Sequence, residues 1–411
     1  MKLYEQVQNQ IREAYLFIKD EYDSNLLEKL LYPDRVLEFY IPVKMDNWST
    51  KVFTWYRSQH NNAKWPYKWW IRFHQNVSKD EVMSLSAWMS LKTSVAWLPL
   101  WWWKWWIIVD PKLLSISELE RLSRWYMQKL APFIWNEIDV PAPDVNTTPQ
   151  IMAWMLDEYI KVTWKHTPWV ITGKPISVGG SQWRTEATAL WGIFSLQQYL
   201  QEKWQMINWK KIAIQWAWNV GLIFAQIAHK LWASIVAISD SKWWIYNPNW
   251  LDISEITSLR ENRASVTDYQ DWKFVSNQDL LLLECDVLVP AALENQITKD
   301  NASLLNTKLV LEMANGPTTY EADGILHNRW IDVIPDILAN AGWVTVSYFE
   351  QVQNNTNYYW TEKEVNEKLE NIIKPATTHV VELAKKYNTN LRNWAYISSI
   401  RKILEAMKTK G

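Results

Sequence analysis

Glycine is nearly absent from this chain, with nine residues in 411 where about 7% is usual. Taken literally, that scarcity excludes the bare turns with which parallel α/β sheets bring backbone amides against a phosphate. Cysteine is scarcer still: the single Cys285 excludes an internal disulfide and a multi-cysteine metal site, and it fits a reducing cytoplasm. Neither charge sign dominates, since 43 Lys and Arg against 44 Asp and Glu leave a net charge of −1. Without a global basic field, nucleic acid is not an expected partner. Long apolar runs are missing too. The most apolar stretch, residues 95–109, is broken by Pro99 and Lys104 and falls short of the roughly 20 residues a membrane span needs, so no membrane partner is expected. The opening residues MKLYEQ lack the apolar core and small-residue cleavage site of a secretory signal. A cytoplasmic location is the expectation.

Tryptophan is what stands in excess, with 32 residues. It clusters beside lysine or in turn-like contexts: Lys68-Trp69-Trp70, Trp101-Trp102-Trp103-Lys104-Trp105-Trp106, and Trp216-Ala217-Trp218-Asn219-Val220-Gly221. Each cluster becomes a recognisable glycine loop when Trp is read as Gly. The last turns from WAWNVG into GAGNVG, the dinucleotide fingerprint, and it follows the apolar run 211–215 that reads as a strand. The working reading is that UGA codons meant as glycine have been translated as Trp.

At 411 residues with 48% hydrophobic content, the chain is long enough for two domains with separate cores. Apolar positions at helical spacing (Val7, Ile11, Ala14, Phe17, Ile18) open it as an amphipathic helix. Short β-like pieces follow at 36–40 and 51–54, then helices at 80–95 and 117–131. Two prolines force 140–144 to be extended, and helix returns over 149–162. Beyond about residue 180 the texture alternates: strand 211–215, helix 220–231, strands 234–239, 287–290 and 308–312. That alternation predicts a parallel doubly wound sheet. The fold class is therefore α/β with two domains. Residues 1–180 form an N-terminal α/β substrate-binding and oligomerisation domain, and 181–379 a Rossmann-type doubly wound dinucleotide-binding domain. A C-terminal helix at about 380–411, clearest from 391 to 408, has no strand beside it and is expected to pack back on the first domain.

A dinucleotide turn needs bare backbone at 216, 218 and 221 so that amides reach the pyrophosphate at the helix start. Trp216, Trp218, Asn219, Val220 and Gly221 supply that turn only if the tryptophans are glycines. Asp240 closes the next strand, where a carboxylate can bind the adenosine ribose. In the first half, Lys68 and Lys104 sit inside glycine-like runs and Lys92 stands shortly before the second run. An isolated lysine is ordinarily a solvated charge. Lysines crowded among small residues instead suit a dicarboxylate, and burial of several lowers one pKa toward neutrality. No metal site is read.

These motifs resemble the glutamate dehydrogenase family, within the Glu/Leu/Phe/Val dehydrogenase superfamily, over nearly the whole chain. The segments that carry the resemblance are KWPYKWWIRFH at 64–74 (family KGPYKGGIRFH), LPLWWWKWWI at 98–107 (LPLGGGKGGI), PAPDVNT at 141–147, TGKPISVGG at 172–180, EMANGPTT at 312–319 (EGANGPTT) and PDILANAGWVTVSYF at 335–349. Nineteen tryptophans fall where the family has glycine: 65, 69, 70, 97, 101, 102, 103, 105, 106, 183, 191, 216, 218, 232, 243, 244, 250, 330 and 343. Trp154 and Trp360 match positions where the family itself has Trp. Ala189 departs from the family's glycine, and UGA reassignment cannot produce that change.

The resemblance implies reversible oxidative deamination of L-glutamate to 2-oxoglutarate and ammonium, with hydride transfer to NAD or NADP. It implies that Lys104 activates the attacking water and that Asp144 exchanges a proton with the substrate nitrogen. Lys92 would hold the α-carboxylate, and Lys68 with Ser347 the side-chain carboxylate. Arg184, Thr188, Asn219, Asp240 and Asn315 would contact the cofactor. A homohexamer is implied as well. Asp240 favours NAD, while Ser239 and Ser241 leave NADP open. His74 is read as structural and Cys285 as core. A branched-chain or aromatic amino-acid dehydrogenase remains a second reading, although such enzymes carry an apolar residue where Lys68 stands. A Trp-rich membrane- or glycan-binding module and a catalytically dead relative are the others.

Overall fold

Residues 35–59 form one long antiparallel hairpin, β1 (Arg35–Lys44) and β2 (Thr50–Gln59), paired from Arg35 opposite Gln59 to Lys44 opposite Thr50. It extends well past the pieces expected at 36–40 and 51–54. Pro42 lacks an amide donor, but β1 lies at the sheet edge, where proline is tolerated. The computed structural model describes all residues except 1–2, 64–66, 99–100, 135–138, 182–185, 217–219, 241–243, 263 and 270–271, and the side chains of 67, 69, 101–105, 274 and 277.

The chain divides into two units. Unit 1 is Met1–Gln182 with Val344–Val365 and Tyr396–Gly411; unit 2 is Trp183–Trp343 with Asn366–Ala395. The sequence expectation of one boundary near 180 left 344–365 with the second domain and 380–395 with the first. The structure divides those segments the other way, because three late helices run through the division: α12 (Gly342–Thr356), α13 (Glu362–Tyr387) and α14 (Leu391–Lys410). Of the C-terminal helix, only the part from Tyr396 joins unit 1, where Ser399 Oγ donates to the Leu91 carbonyl at 2.9 Å and Lys402 Nζ to that of Ser94 at 3.1 Å.

In unit 1 the hairpin continues into β3 (Tyr67–His74), β4 (Trp101–Ile108) and β5 (Asp139–Pro143), giving the order β1-β2-β4-β3-β5. The β3 pairings to β4 and β5 are parallel. Helices α1 (Leu3–Leu16), α2 (Ser24–Leu30), α3 (Lys79–Val95), α4 (Ile116–Leu130) and α5 (Pro149–Thr163) complete it. Their starts follow local chemistry: Ser78 and Thr148 cap α3 and α5, and Ser115 with Glu118 forms a reciprocal capping box on α4. Trp55 is fully buried, stacked on Phe39 with centroids 4.3 Å apart. Arg57 of β2 and Asp139 of β5 form a buried ion pair.

Unit 2 is built on β6 (Lys211–Gln215), β7 (Ser234–Ser239), β8 (Trp244–Tyr246), β9 (Lys273–Val275), β10 (Cys285–Pro290), β11 (Thr307–Leu311) and β12 (Asp332–Ile334), in the order β12-β11-β10-β6-β7-β8-β9. The five strands from β12 to β7 are parallel. Strands β8 and β9 are antiparallel, and at three residues each they carried no readable alternation. Helices α6 (Ala187–Glu202), α7 (Val220–Lys230), α8 (Ile253–Glu261), α9 (Asn277–Leu282), α10 (Tyr320–Asn328) and α11 (Asp336–Ala339) connect them. Ala213, Val236, Leu288 and Val310 form the buried layer of this sheet. Chain order reverses between β6 and β10, which puts the topological switch point at the carboxyl end of β6. Among the described residues, no helix is long and apolar enough to cross a membrane.

Gly221 sits where α7 leaves that end. A Cβ there would lie 1.9 Å from the Trp216 carbonyl oxygen, whereas one at Gly324 in α10 would meet nothing within 4 Å. Gly221→Ala is expected to destabilise the fold by about 1–3 kcal/mol. Gly324→Ala should be neutral or stabilise it by up to about 1 kcal/mol. Urea midpoints of the two variants check the contrast, and equal shifts would show that the close approach is not the constraint.

Candidate functional site

Two constellations take shape, one in each unit. In unit 1, Lys68 lies on β3, flanked by Trp102 of β4 and Val140 of β5 in the register. Its ammonium is fully buried and donates to Thr172 Oγ1 at 2.9 Å. That hydroxyl shares a 2.6 Å hydrogen bond with Ser347 Oγ, and both residues are fully buried. A cation and two hydroxyls thus converge at one point, a set suited to accepting a carboxylate.

Thr172 was not singled out from the sequence, although it opens the TGKPISVGG segment. Its backbone is fixed twice. Its amide donates to the Pro141 carbonyl at 2.8 Å, and the Gly173 amide that follows donates to Glu350 Oε1 and Oε2 at 2.9 and 2.8 Å. Glu350 lies one turn after Ser347 on α12 and pairs with Lys174 at 2.8 Å, both side chains fully buried. One carboxylate therefore holds the 172–174 segment against the helix that carries Ser347.

Asp144 follows β5 directly. Its amide donates to the Ile71 carbonyl at 3.1 Å and to Thr147 Oγ1 at 2.7 Å. Its carboxylate accepts from Arg72 Nε at 3.2 Å, with the two side chains 14% and 21% exposed, so it stays within reach of solvent and solute. Arg72 belongs to the IRFH motif but had been given no role. Lys92 lies in the last turn of α3 and is 4% exposed. The backbone of Lys104 pairs with Trp70 of β3 and Ser58 of β2, two positions beyond the residue opposite Lys68; its side chain lies outside the described residues. His74 is half-buried at the end of β3, and its Nδ1 accepts the Asn76 amide at 3.2 Å.

In unit 2, Trp216 follows β6 at the switch point. This residue has φ 95°, and its amide donates to Ser239 Oγ at 2.8 Å. Val220 opens α7. Asp240 follows β7 and is 7% exposed. Its Oδ2 accepts from the Val266 amide and Ser265 Oγ, each at 3.2 Å, and faces Arg260 Nη1 at 3.5 Å. Thr188 lies in the first turn of α6. Asn315 Oδ1 accepts from Asn340 Nδ2 at 3.2 Å. Arg184, Trp218 and Asn219 lie outside the described residues. Cys285 begins β10, and burial pushes its thiol up to about 11, so it is protonated and inert at neutral pH.

The backbone at this switch point fits a dinucleotide: a parallel strand, a left-handed residue, a helix start that tolerates no Cβ at 221, and a carboxylate closing the next strand. Residues 179–411 match the family described as Glutamate/Leucine/Phenylalanine/Valine dehydrogenase, and residues 33–161 match its dimerisation domain. The chain belongs to this family. It is 44% identical over 390 residues to an NAD-specific glutamate dehydrogenase of Staphylococcus aureus, covering 95% of this chain and 94% of the relative. It is 43% identical over 412 residues to a catabolic NAD-specific glutamate dehydrogenase of Bacillus subtilis, covering 100% and 96%. Among solved structures, glutamate dehydrogenase from Peptoniphilus asaccharolyticus superposes with a TM-score of 0.90 at 39% identity, covering both chains completely. A hetero-hexameric glutamate dehydrogenase from Thermus thermophilus, in a Leu-bound form, gives 0.91 at 30%, covering 100% and 97%. As in other members of this dehydrogenase family, a dimerisation domain precedes a Rossmann-like sheet domain.

The Glu350–Lys174 pair supports Thr172 without belonging to the cation–hydroxyl cluster. Glu350→Gln is expected to cost about 3–5 kcal/mol, because it strands a buried ammonium. The double variant with Lys174→Met should recover most of that loss. Chemical denaturation of the three variants checks this, and equal losses in the single and double variants would count against the pair.

Proposed function

We propose that this protein is a glutamate dehydrogenase, catalysing the reversible oxidative deamination of L-glutamate to 2-oxoglutarate and ammonium with NAD as the preferred coenzyme. The observation that carries the reading is the buried Lys68 ammonium joined to Thr172 and Ser347, in a chain 44% identical to an NAD-specific glutamate dehydrogenase. A buried ammonium beside two hydroxyls suits a carboxylate. The side chain of glutamate carries one, and the side chains of leucine, phenylalanine or valine do not.

In this reading unit 1 is the substrate-binding and oligomerisation domain and unit 2 binds the dinucleotide. Lys68 and Ser347 read the side-chain carboxylate, and Lys92 holds the α-carboxylate. Asp144, kept oriented by Arg72, exchanges a proton with the substrate nitrogen. Lys104 activates the water that attacks the imino acid. Both acid–base steps require groups positioned within hydrogen-bond reach of the proton they move. Residues 216–221, with Arg184, Thr188, Asp240 and Asn315, hold the coenzyme, whose nicotinamide supplies the hydride acceptor. Asp240 suits the free ribose hydroxyls of NAD. A hexameric assembly and a cytoplasmic location complete the proposal.

The same reading includes glycine at the nineteen tryptophan positions. Four of them, Trp97, Trp216, Trp232 and Trp330, have φ of 56°, 95°, 65° and 60°, where a residue with a Cβ costs about 1–2 kcal/mol. Trp106 and Trp244 bury indole N–H groups that find no acceptor, each worth about 1–3 kcal/mol of lost solvation.

The test is glutamate-dependent reduction of NAD and of NADP, compared in chains carrying Gly or Trp at the nineteen positions. Activity in the glycine chain alone, faster with NAD, is expected. Faster turnover of leucine than of glutamate would overturn the substrate reading, and equal activity of both chains would overturn the glycine reading.

A further inference from the structure

Arg392, one residue into α14, has no part in the mechanism above, yet it lies at the centre of a cluster of three carboxylates in unit 2. Its Nη2 donates to Glu312 Oε1 at 2.6 Å and its Nε to Asp323 Oδ1 at 2.9 Å, while Nη1 lies 3.7 Å from Asp336 Oδ1. The guanidinium side chain is 12% exposed and Glu312 is fully buried. One cation thus serves three carboxylates. Burial raises the Glu312 carboxyl and Arg392 opposes that rise, while burial works against the Arg392 charge and Asp323 and Glu312 more than offset it.

Two of these carboxylates grip a single short loop. Glu312 stands where β11 ends, and its Oε2 accepts the Asp336 amide at 2.8 Å. Asp336 Oδ2 accepts the Gly316 amide at 2.9 Å. Between them, Asn340 Nδ2 reaches the carbonyls of Met313 and Ala314 and the side chain of Asn315, at 3.3, 3.0 and 3.2 Å. Residues 312–316 are therefore clamped at both ends, at the carboxyl edge of a parallel sheet where ligands of this fold bind. Asn315 is carried between the two clamps.

We propose that Arg392 is a positioning residue for coenzyme binding, setting the conformation of loop 312–316 and thereby the reach of Asn315. Without the guanidinium, Glu312 and Asp336 repel each other and pull the loop ends apart. The inference rests on Asn315 contacting the dinucleotide. Equilibrium titration of NADH by its fluorescence, with the chain in whichever of the glycine and tryptophan forms is active, tests it. Arg392→Gln is expected to weaken NADH binding about tenfold, the scale of one charge-assisted hydrogen bond, with the KM for glutamate changed less than about twofold. Arg392→Lys keeps the charge without the forked reach and should fall between. Combining Arg392→Gln with Asn315→Ala should lose no more than the larger single loss, because both act through one group. Additive losses, or unchanged NADH affinity with only a lowered unfolding midpoint, overturn the proposal. Unchanged affinity in Asn315→Ala alone overturns instead the reading of Asn315 beneath it.

A different observation carries a second inference. Among the described residues, the twelve non-glycine residues with positive φ are eight tryptophans and four asparagines, with no other residue type among them. Four of those tryptophans, 48, 164, 204 and 209, lie outside the nineteen, with φ of 69°, 57°, 58° and 63°. Trp204 ends α6 with the Gln205 amide donating to the Leu200 carbonyl at 2.9 Å, the same closure that Trp97, Trp232 and Trp330 make through Leu98, Ala233 and Ile331. That closure places a left-handed residue just past the helix, usually glycine. Trp164 ends α5 through its own amide to Ile160, Trp48 turns the β1–β2 hairpin, and Trp209 donates to the Trp232 carbonyl at 2.7 Å. All four side chains are exposed, and the contacts of Lys44 over Trp48 at 4.2 Å and of Trp209 with Trp232 at 6.2 Å between centroids lie at the surface, so little packing offsets the backbone strain.

We infer that residues 48, 164, 204 and 209 are glycine in the protein as its own cells make it, an extension that rests on the glycine reading above. Peptide mass spectrometry of the chain isolated from those cells should find glycine at all four. Tryptophan there with glycine at 216 and 218 overturns this extension alone, whereas tryptophan at 216 and 218 overturns the reading beneath it.

Discussion

Bare backbone is the constraint on which both units depend. A parallel strand must hand the chain to a helix within a few residues, and a helix must stop within one turn to release it again. Both moves need positions where a Cβ has no room or the wrong handedness. At 221 the space is missing: the Trp216 carbonyl occupies it. At 97, 204, 232 and 330 the handedness is wrong, because φ lies between 56° and 65°. The dinucleotide turn, the ends of α3, α6, α7 and α10 and the placement of the strands that follow all rely on these few residues. A side chain at any one of them costs little, but the cost recurs along the chain, and a stability of about 5–15 kcal/mol leaves small room for repetition.

Buried charge does the complementary work of fixing the loops that those turns release. In unit 1, Glu350 accepts from Gly173 and Lys174 and so holds Thr172 beside Ser347. In unit 2, Arg392 and its carboxylates hold 312–316. The two devices share a logic. An ion that cannot reach water must be met from several directions, and satisfying it fixes every backbone segment that contributes a partner. Rigid support of this kind is what a site needs when catalysis depends on position more than on reactive side chains.

Much of the framework was legible in the sequence because it is local. Helices α3, α4 and α5 were legible at 80–95, 117–131 and 149–162, and β6, β7, β10 and β11 as apolar runs between helices. Among the elements that were missed, β8 and β9 have three residues each, the 26-residue α13 contains Pro375, which reads as a break, and α6 and α12 were not read as helices. Asp144, Lys68 and Ser347 came from motif resemblance. Thr172, Arg72, Glu350 and Arg392 did not, because their roles arise from partners between 72 and 177 residues away. No window along the chain brings such pairs together.

The tryptophans show the same division between local and distant information. The resemblance picked out nineteen because neighbouring letters spelled a known motif. It passed over 48, 164, 204 and 209, which stand in segments without one. Backbone handedness needs no motif, since the steric conflict at positive φ belongs to the residue itself. That the twelve left-handed non-glycine positions among the described residues hold only Asn and Trp is therefore informative. Asn tolerates the region by bonding its own backbone; Trp has no such device. At the eight left-handed positions it occupies, and with its side chain exposed at the ends of α3, α5, α6, α7 and α10, tryptophan stands where the backbone favours glycine.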